Sequence, residues 1–307
     1  MRSYPYRLLN VFAEATFGGN PLCVFEHADG LSDAEMQALA LQFNLSETVF
    51  ILPSDQATAR MRIFTTGAEM PFAGHPTLGT AYVVNELVAQ SQAQSQAQSG
   101  AQPDAPNRVT LECKAGIVAA ALVQDIWTFV APTKAAPQIL SCELSCQQVA
   151  TIFGLDESDL LCEPLWVNTG TDQLLIALNS VGAVQRAQPD GAQLEHWPPN
   201  SMGRRVAYLF AFDAAAQGDA VRQQIRSRYF FVKPGGGVNE DPGTGSACAN
   251  LGGWWIATER DLPASLAISQ GAQVLRPSHL YLDINAERQI KVGGKVREIG
   301  RGVIQLP

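Results

Sequence analysis

Two helix-length stretches of this 307-residue chain have no polar face, and each follows a Gly/Pro-rich turn. Apolar side chains occupy every face of residues 78–88, interrupted by Thr80, Asn85 and Glu86, and residues 247–257 are equally apolar. A helix without a polar face must be buried on all sides. Because short strands outnumber the helices and do not alternate with them, we predict an α+β fold in which sheets wrap round a central helix, twice over.

The turns before these helices carry side chains that can exchange protons. His75 lies in Gly-His-Pro-Thr before the first helix, and Asp241 opens Asp-Pro-Gly-Thr-Gly-Ser before the second. The start of a helix has unpaired backbone N–H groups and partial positive charge, so it attracts an anionic group. Together these features indicate an acid/base enzyme that acts on a small carboxylate. The alternatives are a structural, buried His75 and an Asp241 that only caps its helix.

The two turns resemble copies of one another. A shift of 166 positions without a gap aligns five identical residues and places His75 on Asp241. The identical pairs are Arg62/Arg228, Phe64/Phe230, Pro76/Pro242, Gly79/Gly245 and Ala81/Ala247. Ordinary composition would give about one or two identities in such a window. We therefore predict an internal repeat, the alternative being two unrelated Gly/Pro turns.

Glu47 is the strongest candidate for proton transfer. Ser32 and Glu35 form a capping-box pattern that predicts a helix over residues 32–43, and a strand begins at Thr48. Glu47 lies between these apolar segments, where a partly desolvated carboxylate holds a proton more readily, as a general acid/base must. The alternative is a water-exposed residue at the end of the preceding helix.

Charge and composition exclude several classes of protein. The net charge is −8, and the longest basic cluster is Arg204-Arg205, so we expect no binding to nucleic acid or to an anionic membrane. The N-terminal residues lack the apolar core of a secretory signal. The six cysteines include no C-x-x-C pair, which favours free thiols and a cytoplasmic location. Nucleotide-binding motifs and clustered metal ligands are both missing, so we expect no cofactor and no metal.

The low-complexity Gln/Ser/Ala segment 89–107 contains two prolines and predicts a solvated loop inside the first domain. A domain boundary is expected near residues 124–134, where a Pro-containing stretch follows a strand.

Several short motifs occur in order along nearly the whole chain. They are Phe17-Gly18-Gly19-Asn20-Pro21, Ser46-Glu47-Thr48, Glu69-Met70-Pro71-Phe72-Ala73-Gly74-His75-Pro76-Thr77, Asn168-Thr169-Gly170, Glu240-Asp241-Pro242-Gly243-Thr244-Gly245-Ser246, Gln270-Gly271, Arg276-Pro277-Ser278 and Gly293-Gly294. In this order they resemble the PhzF family of phenazine-biosynthesis-like isomerases, within the diaminopimelate epimerase-like fold. The chain departs from the family at Asn10, where Asp is usual, and at Thr66, where Pro is common.

The resemblance implies two pseudo-repeated domains, each a mostly antiparallel sheet or barrel round its central apolar helix, closing over a cleft. We place the N-terminal domain at residues 1–127, joined by the C-terminal strand 297–307, and the C-terminal domain at 128–296. The resemblance also implies a homodimer without a cofactor.

The resemblance implies a catalytic set and a substrate-binding set of residues. The catalytic residues are Glu47, His75 and Asp241; the binding residues are Ser46, Gly74, Gly245 and Ser246. Glu47 would move the proton, His75 and Asp241 would orient substrate or shuttle protons, and the binding set would hold a substrate carboxylate. Related epimerases use one cysteine at each helix start, and neither turn here contains one, which disfavours a two-thiol racemase.

These observations predict a cofactor-independent isomerase that moves a proton within a small unsaturated or cyclic hydroxy- or amino-carboxylic acid, with Glu47 as acid and base. Two alternatives keep the same scaffold: an epimerase or a dehydratase of a hydroxy amino acid, and a protein that binds a small molecule without catalysis.

Overall fold

The computed structural model describes residues 1–96, 107–131, 136–214, 222–233 and 235–307. They form two compact units: unit 1 comprises residues 1–130 and 293–307, and unit 2 comprises residues 131–292. The boundaries expected from the sequence were 127/128 and 296/297.

The elements follow one another in this order: β1 (Arg2–Val11), β2 (Asn20–Phe25), α1 (Asp33–Phe43), β3 (Thr48–Leu52), β4 (Ala59–Phe64), β5 (Glu69–Met70), α2 (Gly74–Gln96), β6 (Arg108–Cys113), β7 (Gly116–Val123), β8 (Ile126–Val130), β9 (Gln138–Ser141), α3 (Cys146–Ile152), β10 (Leu165–Asn168), β11 (Asp172–Ala177), α4 (Val181–Arg186), β12 (Val206–Phe212), β13 (Gln223–Val232), β14 (Val238–Asp241), α5 (Gly245–Ala257), β15 (Ala264–Gln270), β16 (Ser278–Ile284), β17 (Ile290–Gly294) and β18 (Val296–Leu306). Two short 3-10 helices, Glu157–Asp159 and Gly191–His196, lie in unit 2.

Unit 1 is built round α2. Its strands pair in the order β18, β1, β2, β3, β4, β6, β7, β8, and only the β2/β3 and β4/β6 pairs are parallel. The short strand β5 pairs with β4. Helix α2 packs against all the strands of this order, and a side chain at Gly79 would begin 2.4 Å from Leu22. The absence of a side chain at Gly79 thus lets the helix lie directly on β2.

Unit 2 repeats this topology. Its strands pair in the order β9, β10, β11, β12, β13, β15, β16, with parallel pairs at β11/β12 and β13/β15, and β14 pairs with β13. Strands β10–β16 therefore repeat the pairings of β1–β7, and β9 flanks β10 as β18 flanks β1. Helix α5 follows β14 as α2 follows β5, and its residues 245–255 are almost entirely buried.

The strand registers correct the predicted alignment of the two turns. Phe64 pairs with Glu69 across β4 and β5, and Phe230 pairs with Glu240 across β13 and β14. Four residues separate the first pair along the chain and nine separate the second, so the hairpin in unit 2 is longer. The shift of 166 holds for the strands and fails at the turns.

The predicted pairing of His75 with Asp241 is therefore wrong. Both helices begin at a glycine, Gly74 and Gly245, and these two residues are equivalent. His75 consequently corresponds to Ser246. The physical reason is the longer hairpin, in which Gly235–Gly237 all adopt positive φ and lengthen the turn.

In each unit a largely buried ion pair connects the short strand with the strand on which it pairs. Arg62 donates to both carboxylate oxygens of Glu69, at 2.9 and 2.7 Å. Arg228 donates in the same way to Glu240, with Nε at 3.1 Å and Nη2 at 2.7 Å. Three residues separate each short strand from the central helix that follows it, so the ion pair lies close to the start of that helix.

The predictions for the other helices have mixed outcomes. The helix expected at residues 32–43 is confirmed, with Ser32 as N-cap and a complete capping box to Glu35. The loop expected at 89–107 is wrong for residues 89–96, which continue α2. Alanine and glutamine are good helix formers, and the buried first half of α2 already supplies the nucleus that helix extension requires. Residues 97–106 lie outside the described part of the chain.

Among the helices that the structure describes, none combines the length and apolarity needed to cross a lipid bilayer.

We expect Arg228→Met to lower the free energy of unfolding by about 3–5 kcal/mol, because it leaves the Glu240 carboxylate buried without its cation. The side chains of Arg228 and Glu240 are only 11% and 7% exposed. Urea unfolding of both proteins measures the change. The control is Arg2→Met, which breaks the more exposed ion pair with Glu35 and should cost much less. Equal losses in the two variants would contradict a stabilising role of the buried pair.

Candidate active site

Glu47 and His75 come together in unit 1. His75 is the second residue of α2, and Glu47 immediately precedes β3, a strand on which α2 packs. The His75 Nε2 atom lies 3.4 Å from Glu47 Oε2, and the two side chains are 6% and 16% exposed. The interpretation of Glu47 as a fully water-exposed residue at the end of α1 is therefore wrong, because most of its side chain is shielded.

Burial sets the protonation state of His75. Removal from water lowers the pKa of His75 to about 3, and a hydrogen bond to the backbone of Pro21 opposes this shift only in part. The imidazole is therefore neutral at neutral pH. Because Nε2 has no hydrogen-bond partner among the described residues, Nδ1 is the nitrogen that donates to the Pro21 carbonyl oxygen.

The lone pair of His75 Nε2 thus faces a carboxyl oxygen of Glu47. A protonated Glu47 carboxyl could donate to Nε2 in an O–H···N contact. An ionised carboxylate could not, because it and the lone pair are both acceptors. The arrangement can hold one proton and release it to a third group. It also shows why the Phe17–Pro21 motif matters, since Pro21 fixes the tautomer of the imidazole.

In unit 2, Asp241 is the last residue of β14 and is half-buried. Thr244 is the N-cap of α5, so the interpretation of Asp241 as the N-cap is wrong. The Thr244 side chain makes no capping hydrogen bond; its hydroxyl donates to Asp241 Oδ2 instead. The carboxylate is therefore held in place, and the first backbone amides of α5 are not covered by the cap side chain.

Gln270 and Gly271 both contact the turn between β14 and α5. Gln270 Nε2 donates to the Asp241 carbonyl oxygen at 2.8 Å and contacts Thr244 Oγ1 at 3.0 Å. Gly271 has φ +77°, and a side chain there would begin 2.5 Å from the Pro242 carbonyl oxygen. Only glycine fits this contact, which explains the place of Gln270-Gly271 among the sequence motifs.

The predicted site residues form one group in each unit. Unit 1 contains Ser46, Glu47, Gly74 and His75, and unit 2 contains Asp241, Gly245 and Ser246. Gly74 and Gly245 begin the buried helices, Ser246 is half-buried, and Ser46 is exposed. That the two groups serve one reaction stays a prediction.

Sequence reasoning missed two residues that contact this site. Thr244 stands in the sequence only as part of a motif, although its spacing from Asp241 is typical of a local side-chain contact. Gln173, which donates to Ser246 at 3.0 Å, gave no signal because it lies within the apolar strand β11.

In the part of the chain that the structure describes, no three His, Cys, Asp or Glu side chains are grouped so that they could hold a metal ion. All six cysteines are free. Burial raises the pKa of Cys248 in α5 well above its usual range, so this thiol is a poor source of thiolate.

Comparison with known proteins identifies the scaffold. A family model described as phenazine biosynthesis-like protein (PhzC-PhzF) matches residues 9–305. An uncharacterized isomerase of Pasteurella multocida is 38% identical over 306 residues, covering 99% of this chain and 95% of the relative. Trans-2,3-dihydro-3-hydroxyanthranilate isomerase of Pseudomonas aeruginosa is 32% identical over 280 residues, covering 90% and 88%. The crystal structure of a PhzF-family phenazine biosynthesis protein from Bacillus anthracis covers 100% of both chains, with a TM-score of 0.77 and 22% identity.

The fold and these relatives define the protein as an isomerase with an epimerase-like α+β fold. Within that class, the chain belongs to the phenazine biosynthesis-like, or PhzF, family. The resemblance and the α+β fold class predicted from the sequence are confirmed.

We expect His75→Gln to flatten the acid side of the stability profile. Below about pH 6.5 the unfolded chain takes up a proton on His75, whereas the folded protein keeps this imidazole neutral down to about pH 3. The free energy of unfolding therefore falls as the pH drops through this window, by about 1.4 kcal/mol per pH unit from this residue.

Denaturant unfolding between pH 4 and 8 measures the slope in both proteins. His196→Gln, which replaces an exposed histidine by the same residue, is the matched control. An unaltered slope in His75→Gln would show that His75 is protonated in the folded protein.

Proposed function

We propose that the protein is a cofactor-independent isomerase that moves a proton within a small unsaturated or cyclic hydroxy- or amino-carboxylic acid. The observation that carries this proposal is the shielded Glu47 carboxyl, 3.4 Å from a neutral imidazole at the start of a buried helix. A carboxyl that gains and loses a proton beside a fixed acceptor is suited to general acid/base catalysis.

In the proposed reaction, the Glu47 carboxylate removes a proton from a carbon that an adjacent double bond or carbonyl group makes acidic. Between its removal and its return the proton stays on Glu47, whose carboxyl donates a hydrogen bond to the lone pair of neutral His75 Nε2. Glu47 delivers it to a second carbon of the same molecule. Neutral His75 suits this role, because a protonated imidazole would offer a donor where the carboxyl needs an acceptor.

Asp241 is the second carboxylate of the proposal and orients the substrate or relays a proton. Its position is supported by the hydrogen bond from Thr244 and by the brace from Gln270. We assign recognition of the substrate carboxylate to backbone amides and the hydroxyl of the binding set, with charge stabilisation from the helix starts. That set is Ser46, Gly74, Gly245 and Ser246.

The first substrate to test is trans-2,3-dihydro-3-hydroxyanthranilate, which the Pseudomonas aeruginosa relative is named for. It belongs to the proposed class, since it is a cyclic unsaturated molecule with a carboxylate, an amino group and a hydroxyl. At 32% identity, pocket residues can differ, so related carboxylic acids belong in the same panel.

We expect the protein to convert a member of this panel in D2O into an isomer that carries deuterium at the new C–H position, because the protonated Glu47 carboxyl, which is 16% exposed, exchanges with solvent before it delivers the proton. Glu47→Gln should lower the rate by about 10²–10⁴-fold, because the amide can neither remove nor return the proton. Mass spectrometry and proton NMR of the product measure both effects. Glu143→Gln, which changes an exposed carboxylate, is the matched control and should keep the full rate.

Other products would identify the alternative functions. Loss of water indicates a dehydratase, and inversion at the original carbon indicates an epimerase. Tight binding of a panel member without any exchange would overturn the proposal in favour of a protein that only binds its ligand.

A further inference from the structure

A buried polar network lies behind the start of α5, and the proposed reaction does not use it. Gln173 in β11 is 3% exposed, and Asn250 in α5 is completely buried. Burying an amide is costly unless its donors and acceptors are satisfied, so each hydrogen bond of this network constrains the next.

Asn250 has one possible orientation. Its Oδ1 accepts from the Thr169 backbone N–H at 2.8 Å and from the Thr169 hydroxyl at 2.7 Å. Its Nδ2 donates to the Thr171 carbonyl oxygen and to Gln173 Oε1, both at 2.9 Å. A flipped amide would point donors at the Thr169 N–H and its oxygen at a carbonyl oxygen, so the flip is excluded.

Asn250 in turn fixes Gln173. Because Gln173 Oε1 accepts from Asn250, the Gln173 amide nitrogen faces the other way. It donates to Ser246 Oγ at 3.0 Å and to Tyr229 Oη at 3.3 Å. These two contacts use both hydrogens of the amide group, and no acceptor of Gln173 faces Ser246.

The orientation of Gln173 determines what Ser246 can do. A hydroxyl has a single hydrogen, and since Ser246 Oγ accepts from Gln173, that hydrogen must point away from Gln173. Ser246 is the second residue of α5, where the backbone amides are also donors. Side chain and backbone therefore present the same polarity at this helix start.

We propose that Gln173 is a positioning residue that makes Ser246 an obligate hydrogen-bond donor, and that this selects a carboxylate as the group bound at the start of α5. The selection of a carboxylate rests on the proposed function. The equivalent residue of unit 1, His75, presents a lone pair at Nε2 instead. The side chains at the second position of the two helices thus have opposite hydrogen-bond polarity, whereas the backbone amides are donors at both helix starts.

Neutron diffraction from deuterium-exchanged crystals of the full chain tests the orientation without any ligand or turnover. We expect the two deuterons of Gln173 Nε2 to point at Ser246 Oγ and Tyr229 Oη, and the Ser246 deuteron to point away from Gln173. A Ser246 deuteron directed at Gln173 would overturn the proposal.

Calorimetric binding of 2-aminobenzoate, with 2-aminobenzamide as the neutral probe, tests the selection. We expect the wild-type protein to prefer the carboxylate and Gln173→Met to weaken its binding about tenfold or more. In a Ser246→Ala background, Gln173→Met should have little further effect, because it acts through Ser246. Thermal melting confirms that each variant is folded.

Gln173→Glu provides a pH readout that a merely structural role would not give. Its carboxylate cannot donate to Ser246, so binding of 2-aminobenzoate should be weak at high pH. It should recover as the pH falls and the new carboxyl becomes a donor again.

Two outcomes of the calorimetric experiments also contradict the proposal: additive losses for Gln173→Met and Ser246→Ala, or a wild-type protein that does not prefer 2-aminobenzoate to the amide. If only the isomerisation assay in D2O failed and the binding and neutron results were as expected, the proposed reaction would be overturned and the role of Gln173 would stand.

Discussion

The structure depends on the burial of two helices that have no polar face. Each fully buried Leu, Ile or Val side chain contributes about 1.5–3 kcal/mol, so α2 and α5 strongly favour an arrangement that surrounds them with strands. Leu251 and Trp254 of α5 are almost inaccessible to water, as are Leu78 and Val83 of α2. Once the sides of a helix are covered by apolar strands, its polar character is concentrated at its ends. The backbone amides at Gly74 and Gly245 have no partner within the helix and therefore remain available to bind another group.

The same burial determines how polar side chains behave near the helix starts. His75 stays neutral because its surroundings do not solvate a charge. Arg228 and Glu240 form an ion pair in which each is the counter-ion of the other. Asn250 and Gln173 satisfy one another and have little rotational freedom as a result. Because the surroundings of the helices are apolar, a few hydrogen bonds are enough to fix the orientation of these polar side chains.

The sequence was informative wherever a local pattern decided the structure. The apolar stretches and the capping box at Ser32 predicted α2, α5 and α1, because helix periodicity and capping are short-range properties. Residues 89–96 were mispredicted because their alternating polar composition hides a real helix propensity.

Features that depend on pairing between distant segments could not be predicted in this way. The gapless repeat misaligned His75, since only the strand registers show that the second hairpin is longer. Gln173 gave no signal because a single polar residue in an apolar strand does not reveal which groups it meets across the core. The resemblance to a known family supplied candidate residues that composition alone would not have selected, including Ser246.

The correspondence of His75 with Ser246 has a consequence for how such a protein can change over time. Each half follows one plan of strands, and the contacts described above for each helix start are made within its own half. Pro21 and Glu47 contact His75 at the start of α2, and Gln173 donates to Ser246 at the start of α5. A substitution among the contacts described for one start therefore leaves those described for the other intact. The scaffold can acquire new reactions by revising one half at a time.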